Sequence, residues 1–181
     1  DIGVSRGLGD VYKRQKYSTE WGESLSTLWI AASNGYAPVV RVLIDRGADI
    51  SKARASNGCT PFYVASEKGH VEVVRMLLEQ GADINKAKNC GATPLFVASW
   101  NGHVEVVRML LEQGADINKA KNDGCTPLFI ASYNGHGEVV SVLLEQGADI
   151  HLSWRGQTPL QTARQRNHTE IARLLELAAQ V

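Results

Sequence analysis

The sequence lacks an excess of charge, a long apolar run and enough cysteine for a disulfide framework. Lys plus Arg and Asp plus Glu are both 19, so the net charge is +0 and gives no general attraction for nucleic acid or an anionic membrane. No apolar run approaches the ~20 residues that cross a bilayer. Three cysteines in 181 residues favour a reducing compartment. We therefore expect a protein of the cytoplasm, or alternatively of the nucleus, that binds neither nucleic acid nor membrane.

Two signatures of common catalytic sites are also missing. The chain has no Gly-rich loop followed by Lys and no His-Glu-x-x-His, so we expect no enzyme, no catalytic residue and no cofactor. Four histidines recur with Glu two residues later, namely His70, His103, His136 and His168. Copies of one repeat position lie about 10 Å apart, which is too far to share a metal ion. We expect a structural role for them and no metal site.

What the sequence does contain is a repeat of 33 residues. The stretch from Thr93 to Ile117 has close copies that start at Thr60 and Thr126. Weaker copies start at Ser26 and Thr158. A fixed period of this length is typical of a solenoid, in which each unit packs only on its neighbours.

Each unit predicts a pair of helices. Thr93 caps a short apolar helix that begins at Pro94, and Gly102 ends it because glycine tolerates the left-handed conformation. A second helix is predicted over 104–113, with apolar residues on more than one side. That breadth indicates a helix packed between neighbours. A turn-rich loop then leads to the next Thr-Pro pair.

The combined pattern of Gly-x-Thr-Pro-Leu, Gly-His-x-Glu-Val-Val, Leu-Leu and Gly-Ala-Asp-Ile-Asn resembles the ankyrin repeat over about residues 22–181. The resemblance implies an all-α repeat solenoid of stacked helix-turn-helix units with β-hairpin loops. It also implies a non-enzymatic scaffold or adaptor that binds another protein through a concave face. The alternative is a regulatory or targeting arm of a larger enzyme or channel. We expect a monomer with repeats at 22–55, 56–88, 89–121, 122–153 and 154–181.

Both ends of the array depart from the repeat. Residues 1–21 share nothing with it, and 5–15 resemble a translated adapter from sequencing libraries; the alternative is a genuine polar tail. Under the adapter interpretation the native N-terminus is missing. The first repeat is apolar, which is expected either if residues that preceded it are missing or if Trp21 and Leu25 cover its apolar side chains. Gln161 and Glu176 replace apolar residues of earlier copies, so we expect 154–181 to form a C-terminal cap with a polar outer face.

Aromatic side chains replace a polar one inside the repeats. The family usually has a His after Thr-Pro-Leu that links adjacent repeats by hydrogen bonds. This chain instead has Trp29, Tyr63, Phe96, Phe129 and Gln161. We expect aromatic stacking or burial between repeats in place of that polar link, because aromatic burial is strongly favourable.

The cysteines and two asparagines lie in the predicted loops. We expect Cys59, Cys90 and Cys125 to be free surface thiols at or near hairpin tips. Cys59 and Cys125 are two repeats apart, beyond the ~7 Å that a disulfide allows, whereas Cys90 and Cys125 in adjacent repeats are a marginal pair. Asn85 and Asn118 follow Asp-Ile, which resembles the context in which asparagine hydroxylases modify ankyrin repeats. The alternative, which we favour, is hydrogen bonding to loop backbone.

Positions that differ between the copies predict where a partner binds. In the ankyrin fold the end of the first helix and the hairpin tip line one concave surface, and the differences gather in both places. Exposed aromatics and Arg are the usual energetic centres of interfaces, so we expect a binding strip at Trp100, Tyr133, Trp154 and Arg155. The alternative is that these aromatics pack as surface stabilisers. The full predicted site is Glu67, Lys68, Trp100, Asn101, Tyr133, Asn134, Trp154, Arg155, Gln165 and Arg166.

Overall fold

The computed structural model describes residues 26–180, in which ten helices form five consecutive pairs. The first helices of the pairs are α1 Thr27–Ser33, α3 Pro61–Lys68, α5 Pro94–Asn101, α7 Pro127–Asn134 and α9 Pro159–Gln165. The second helices are α2 Ala37–Asp45, α4 Val71–Glu79, α6 Val104–Glu112, α8 Gly137–Glu145 and α10 Thr169–Ala178. The predicted all-α repeat array is confirmed. The segment 5–15, Trp21 and Leu25 lie outside the described residues.

The first helices begin and end where the Thr-Pro and Gly signals predict. The Thr93 hydroxyl accepts a hydrogen bond from the backbone N–H of Phe96 at 3.1 Å, with Pro94 at the start of the helix. Gly102 ends the helix at φ 75°, in the left-handed region. The same N-terminal cap recurs at Ser26, Thr60, Thr126 and Thr158.

Helices of the same kind pack against one another along the array. α5 lies between α3 and α7, and α6 lies between α4 and α8. α6 ends one residue earlier than predicted because Gln113 is its C-cap. Val106, Val107 and Leu110 of α6 are completely buried, as a helix with a neighbour on each side requires. Each buried side chain of this kind stabilises the fold by roughly 1.5–3 kcal/mol.

Histidine side chains join each repeat to the one before it. His103 Nε2 lies 3.0 Å from the backbone oxygen of Glu67, and since a carbonyl oxygen only accepts, the ring nitrogen donates. The same link, at 2.9–3.2 Å, joins His70 to Ser33, His136 to Trp100 and His168 to Tyr133. The structural role predicted for these histidines is confirmed.

Asparagine side chains make a second link between repeats. Asn85 Oδ1 accepts a hydrogen bond from the backbone N–H of Asp116, and Asn118 Oδ1 accepts one from Asp149, both at 3.0 Å. The predicted bonding to loop backbone is confirmed, and it reaches into the following repeat.

Aromatic burial between repeats is confirmed in the middle of the array. Tyr63, Phe96 and Phe129 are at most 2% exposed, whereas Trp29 is partly buried and Gln161 is exposed. Our expectation that burial replaces the polar link needs correction. The histidines at the start of the second helices supply polar links at four junctions, so the aromatic rings add to them.

The prediction that all three cysteines are surface thiols is wrong for two of them. Cys59 and Cys125 are 4% and 2% exposed, and Cys90 alone is exposed, although all three are free. Burial raises the pKa of Cys125 to about 12 and also raises the pKa of Cys59. Each buried thiol lies just before a capping Thr, with its side chain directed into the core.

The last helix pair carries polar residues where earlier pairs are apolar. Gln161 forms a capping box with Thr158, and Glu176 pairs with Arg164 at 2.7 Å. Asn167 adopts the left-handed conformation, with φ 61°, where earlier repeats use Gly. Within residues 26–180 no helix is long and apolar enough to cross a membrane.

Candidate functional site

Two rows of side chains line one side of the array, which we call the groove face. The helix row lies at the ends of the first helices and consists of Glu67, Lys68, Trp100, Asn101, Tyr133, Asn134, Gln165 and Arg166. The hairpin row lies on the connecting loops and consists of Arg54, Lys88, Lys121, Trp154 and Arg155. Between α3 and α5 the two rows meet in an open cavity of about 400 Å³, which we call the groove cavity.

Trp100 combines a fixed backbone with an exposed side chain. Its carbonyl oxygen accepts hydrogen bonds from Asn134 Nδ2 and His136 Nε2 of the following repeat, both at 2.9 Å. Its indole is 46% exposed and lies 6.0 Å from the Phe96 ring, between centroids. The other exposed large apolar side chains in the described part of the chain, Leu152 and Leu177, are outside both rows.

Four of the ten predicted site residues line the groove cavity. They are Glu67, Lys68, Trp100 and Asn101. The Asn101 amide nitrogen donates to the carbonyl oxygen of Val97 at 2.9 Å, which fixes that side chain on its own helix. The cavity therefore joins the ends of two successive first helices into one surface.

Of the remaining helix-row residues, Tyr133 and Arg166 pack on each other. The Arg166 guanidinium lies 3.8 Å from the centroid of the Tyr133 ring, so one face of this aromatic is covered. Gln165 accepts a hydrogen bond from Gln157 of the preceding hairpin at 2.9 Å. Neither Tyr133 nor Arg166 lines the groove cavity.

Trp154 is packed more tightly than an exposed binding residue would be. Its ring meets Phe129 edge-on at 5.3 Å, and its Nε1 is buried with no hydrogen-bond partner among residues 26–180. Arg155 stacks on the ring of Trp154 at 4.5 Å, with φ 51° in the turn. Trp154 thus contributes mainly core contact at this position, and Arg155 carries the exposed charge.

Sequence reasoning missed three cations of the hairpin row. Each lies over the aromatic ring of the first helix that precedes it, at 5.9 Å for Arg54 over Trp29, 5.2 Å for Lys88 over Tyr63, and 5.5 Å for Lys121 over Phe96. Trp154 covers Phe129 in the same way one repeat later. A signal was available, since the cations recur at intervals of 34 and 33 residues just before the variable loop.

The groove cavity has a positive balance of charge. Three lysines line it, Lys68, Lys88 and Lys121, against one carboxylate, Glu67. Lys121 pairs with Asp123 at 3.0 Å. Lys68 and Lys88 form no ion pair with any residue between 26 and 180. The rings beneath Lys88 and Lys121 hold these side chains in place without neutralising them.

The structure gathers no set of metal ligands in the part of the chain it describes. No group of three or more His, Cys, Asp or Glu side chains there could hold an ion. The four recurrent histidines instead bond to backbone oxygens one repeat away.

Stacked helix pairs with recurrent hydrogen-bond links between successive pairs define a helical-repeat array. A family model described as ankyrin repeats in three copies matches residues 11–88, 28–121, 85–153 and 118–181. The chain belongs to the ankyrin repeat family, whose members are generally non-catalytic modules for protein–protein interaction. No curated protein matches the sequence closely enough to be called a relative.

Proposed function

We propose that this chain is a scaffold or adaptor that binds a partner protein through its groove face, with Trp100 as the central anchor and no catalytic step. The observation that carries the proposal is the state of Trp100. Its backbone is held by two hydrogen bonds from the next repeat, yet 46% of the residue is exposed. A rigid, exposed Trp loses little conformational entropy on binding and is a common energetic centre of interfaces.

The chemistry of the repeats supports binding over catalysis. Histidine rings are the usual acid–base groups; four of the five are engaged by backbone oxygens, and the fifth, His151, is exposed in a loop. Two of the three thiols are buried, and burial raises the pKa of each. A buried thiol held in its protonated form is a poor nucleophile.

The proposal is tested by affinity capture followed by a measured dissociation constant for the captured protein. The double variant Trp100→Ala with Tyr133→Ala is expected to weaken binding at least about tenfold, as loss of an aromatic anchor does. Leu177→Ala is the matched control, because Leu177 is 53% exposed and lies on α10 outside the groove face. A double variant that retains wild-type affinity would overturn the proposal.

A further inference from the structure

The hairpin row supplies cations at regular intervals along the groove face. Lys88 and Lys121 occupy equivalent places, each donating its backbone N–H to the far side of its hairpin, to Ala92 at 3.0 Å and Cys125 at 2.9 Å. The two hairpins are joined directly, because Asn122 N–H donates to Cys90 O at 3.1 Å. The two ammonium groups are therefore separated by one repeat, on the order of 10 Å.

Each of these ammonium groups has an aromatic ring beneath it, and the groove cavity lies beside it. A cation above a ring is attracted to the negative face of the ring and remains charged. A carboxylate approaching from the cavity would add a charge-assisted hydrogen bond to the ammonium group without displacing the ring. Glu67 is the single carboxylate among the cavity residues, and Asp123 outside the cavity pairs with Lys121, so three lysines face two counter-charges and Lys88 has no ion-pair partner among residues 26–180.

From this arrangement we propose that the groove cavity binds an extended acidic segment of the partner protein, with carboxylates at Lys88 and Lys121 and an apolar side chain against Trp100. The inference rests on the proposed function, because it names the partner chemistry for the same face. Polyproline II geometry fits the spacing, since it repeats every three residues and rises ~9 Å over them. The segment is therefore expected to carry acidic residues three positions apart.

The test is a peptide-display selection against the full chain, with peptides of about twelve residues, long enough to span ~40 Å when extended. Peptides that also bind the Trp100→Ala variant are removed. Enriched peptides are expected to carry Asp or Glu at positions i and i+3. The double variant Lys88→Glu with Lys121→Glu is expected to weaken their binding at least about tenfold.

The matched control is the double variant Lys86→Glu with Lys119→Glu. These lysines lie two residues earlier on the same two hairpins, outside the groove cavity, and carry the same change of charge. The control is expected to bind the enriched peptides within about threefold of wild type, since distant exposed charges are largely screened. Peptides with Lys in place of each Glu are expected to bind the Lys88→Glu, Lys121→Glu variant better than they bind wild type.

The exposed thiol in the cavity provides an independent test of where the peptide binds. Cys90 lines the groove cavity between the two rows, so a bound peptide is expected to slow its alkylation. Circular dichroism melting of every variant verifies that the fold is kept. Unchanged alkylation of Cys90 under a saturating acidic peptide would place the binding elsewhere and overturn the inference.

The remaining outcomes separate the inference from the proposed function. Enriched peptides that depend on Trp100 but are neutral or basic overturn the acidic segment and leave the groove face as the binding surface. A selection that yields no Trp100-dependent peptide counts against both. A single-stranded oligonucleotide that displaces the acidic peptide at equal concentration overturns the inference in favour of a nucleic acid.

Discussion

Two open cavities of nearly equal size, about 400 and 410 Å³, lie on different faces of the array. The second, which we call the outer cavity, lies between α4 and α6, whose sequences are identical. Its charged lining consists of two Arg and three Glu, namely Arg75, Arg108, Glu79, Glu105 and Glu112. Opposite charges at helical spacing pair weakly with one another.

The groove cavity differs in chemistry and not in size. It has an exposed Trp, three lysines and one carboxylate, and it lies where successive copies of the repeat differ. The outer cavity lies where the copies are the same and its charges nearly balance. Cavity volume is therefore no basis for choosing between the two, and our proposal of the groove cavity depends on its exposed Trp100 and its excess of lysines over carboxylates. The predictions below test this contrast.

The largest effect is expected from Gly102→Ala, which disturbs the contact between the third and fourth repeats, one junction beyond the two cavities. Gly102 has φ 75°, and a Cβ there would lie 2.6 Å from His136 Nδ1. Left-handed strain and the clash together are expected to cost about 2–4 kcal/mol of unfolding free energy, measured by urea denaturation. Gly114→Ala is the control, since it has φ 84° with nothing near the added Cβ. Equal losses for the two variants would show that the His136 contact does not matter.

The local structure was predictable because its signals are local. Thr93 with Pro94 and the following Gly102 determine one helix by hydrogen bonding and backbone freedom alone. Trp100 was found by comparing copies, since a position that also accepts Glu67 has to be exposed.

The hairpin row and the buried thiols depend on tertiary placement. From the sequence alone, Lys88 in a loop is expected to be a solvated charge. Only the fold shows that it lies above the Tyr63 ring. Cys59 and Cys125 were assigned to the surface because they lie near hairpin tips. The equivalent residue of the middle repeat is Ala92, which is 2% exposed, and a small apolar residue at this position signals burial in all three copies.

The next prediction compares the stability lost when one side chain from each cavity is truncated. Met109 lines the outer cavity, is partly buried and packs against the core, so Met109→Ala is expected to lower the unfolding free energy by about 1–2 kcal/mol. Trp100→Ala is expected to lower it by less than about 1 kcal/mol, because the indole is half exposed. Denaturation of both variants under identical conditions provides the comparison. A larger loss for Trp100→Ala would assign Trp100 to packing and weaken the contrast.

A smaller effect is expected when one of the links between repeats is removed. His103→Ala deletes the hydrogen bond to Glu67 O, which is expected to cost about 1 kcal/mol. The loss should appear in the melting temperature and not in the affinity for a groove-face ligand. His151→Ala serves as the control, because His151 is exposed and donates its backbone N–H, not a ring nitrogen, to Asp149 Oδ1. A fall in affinity without a fall in stability would mean that His103 belongs to the binding site.

The smallest effect on stability, close to zero, is expected from alkylation of Cys90 by a small uncharged reagent. The thiolate is the reactive form, and burial raises the pKa of Cys125 to about 12 and the pKa of Cys59 as well. At pH 8 both buried thiols therefore stay protonated and shielded, while Cys90 is exposed.

Mass spectrometry of the native protein is expected to show one alkyl group, at Cys90, and three only after denaturation. Modification of Cys125 at a comparable rate in the native state would contradict its place in the core. If Cys90 alone reacts and the melting temperature does not change, then a ligand can enter the groove cavity without movement of the scaffold.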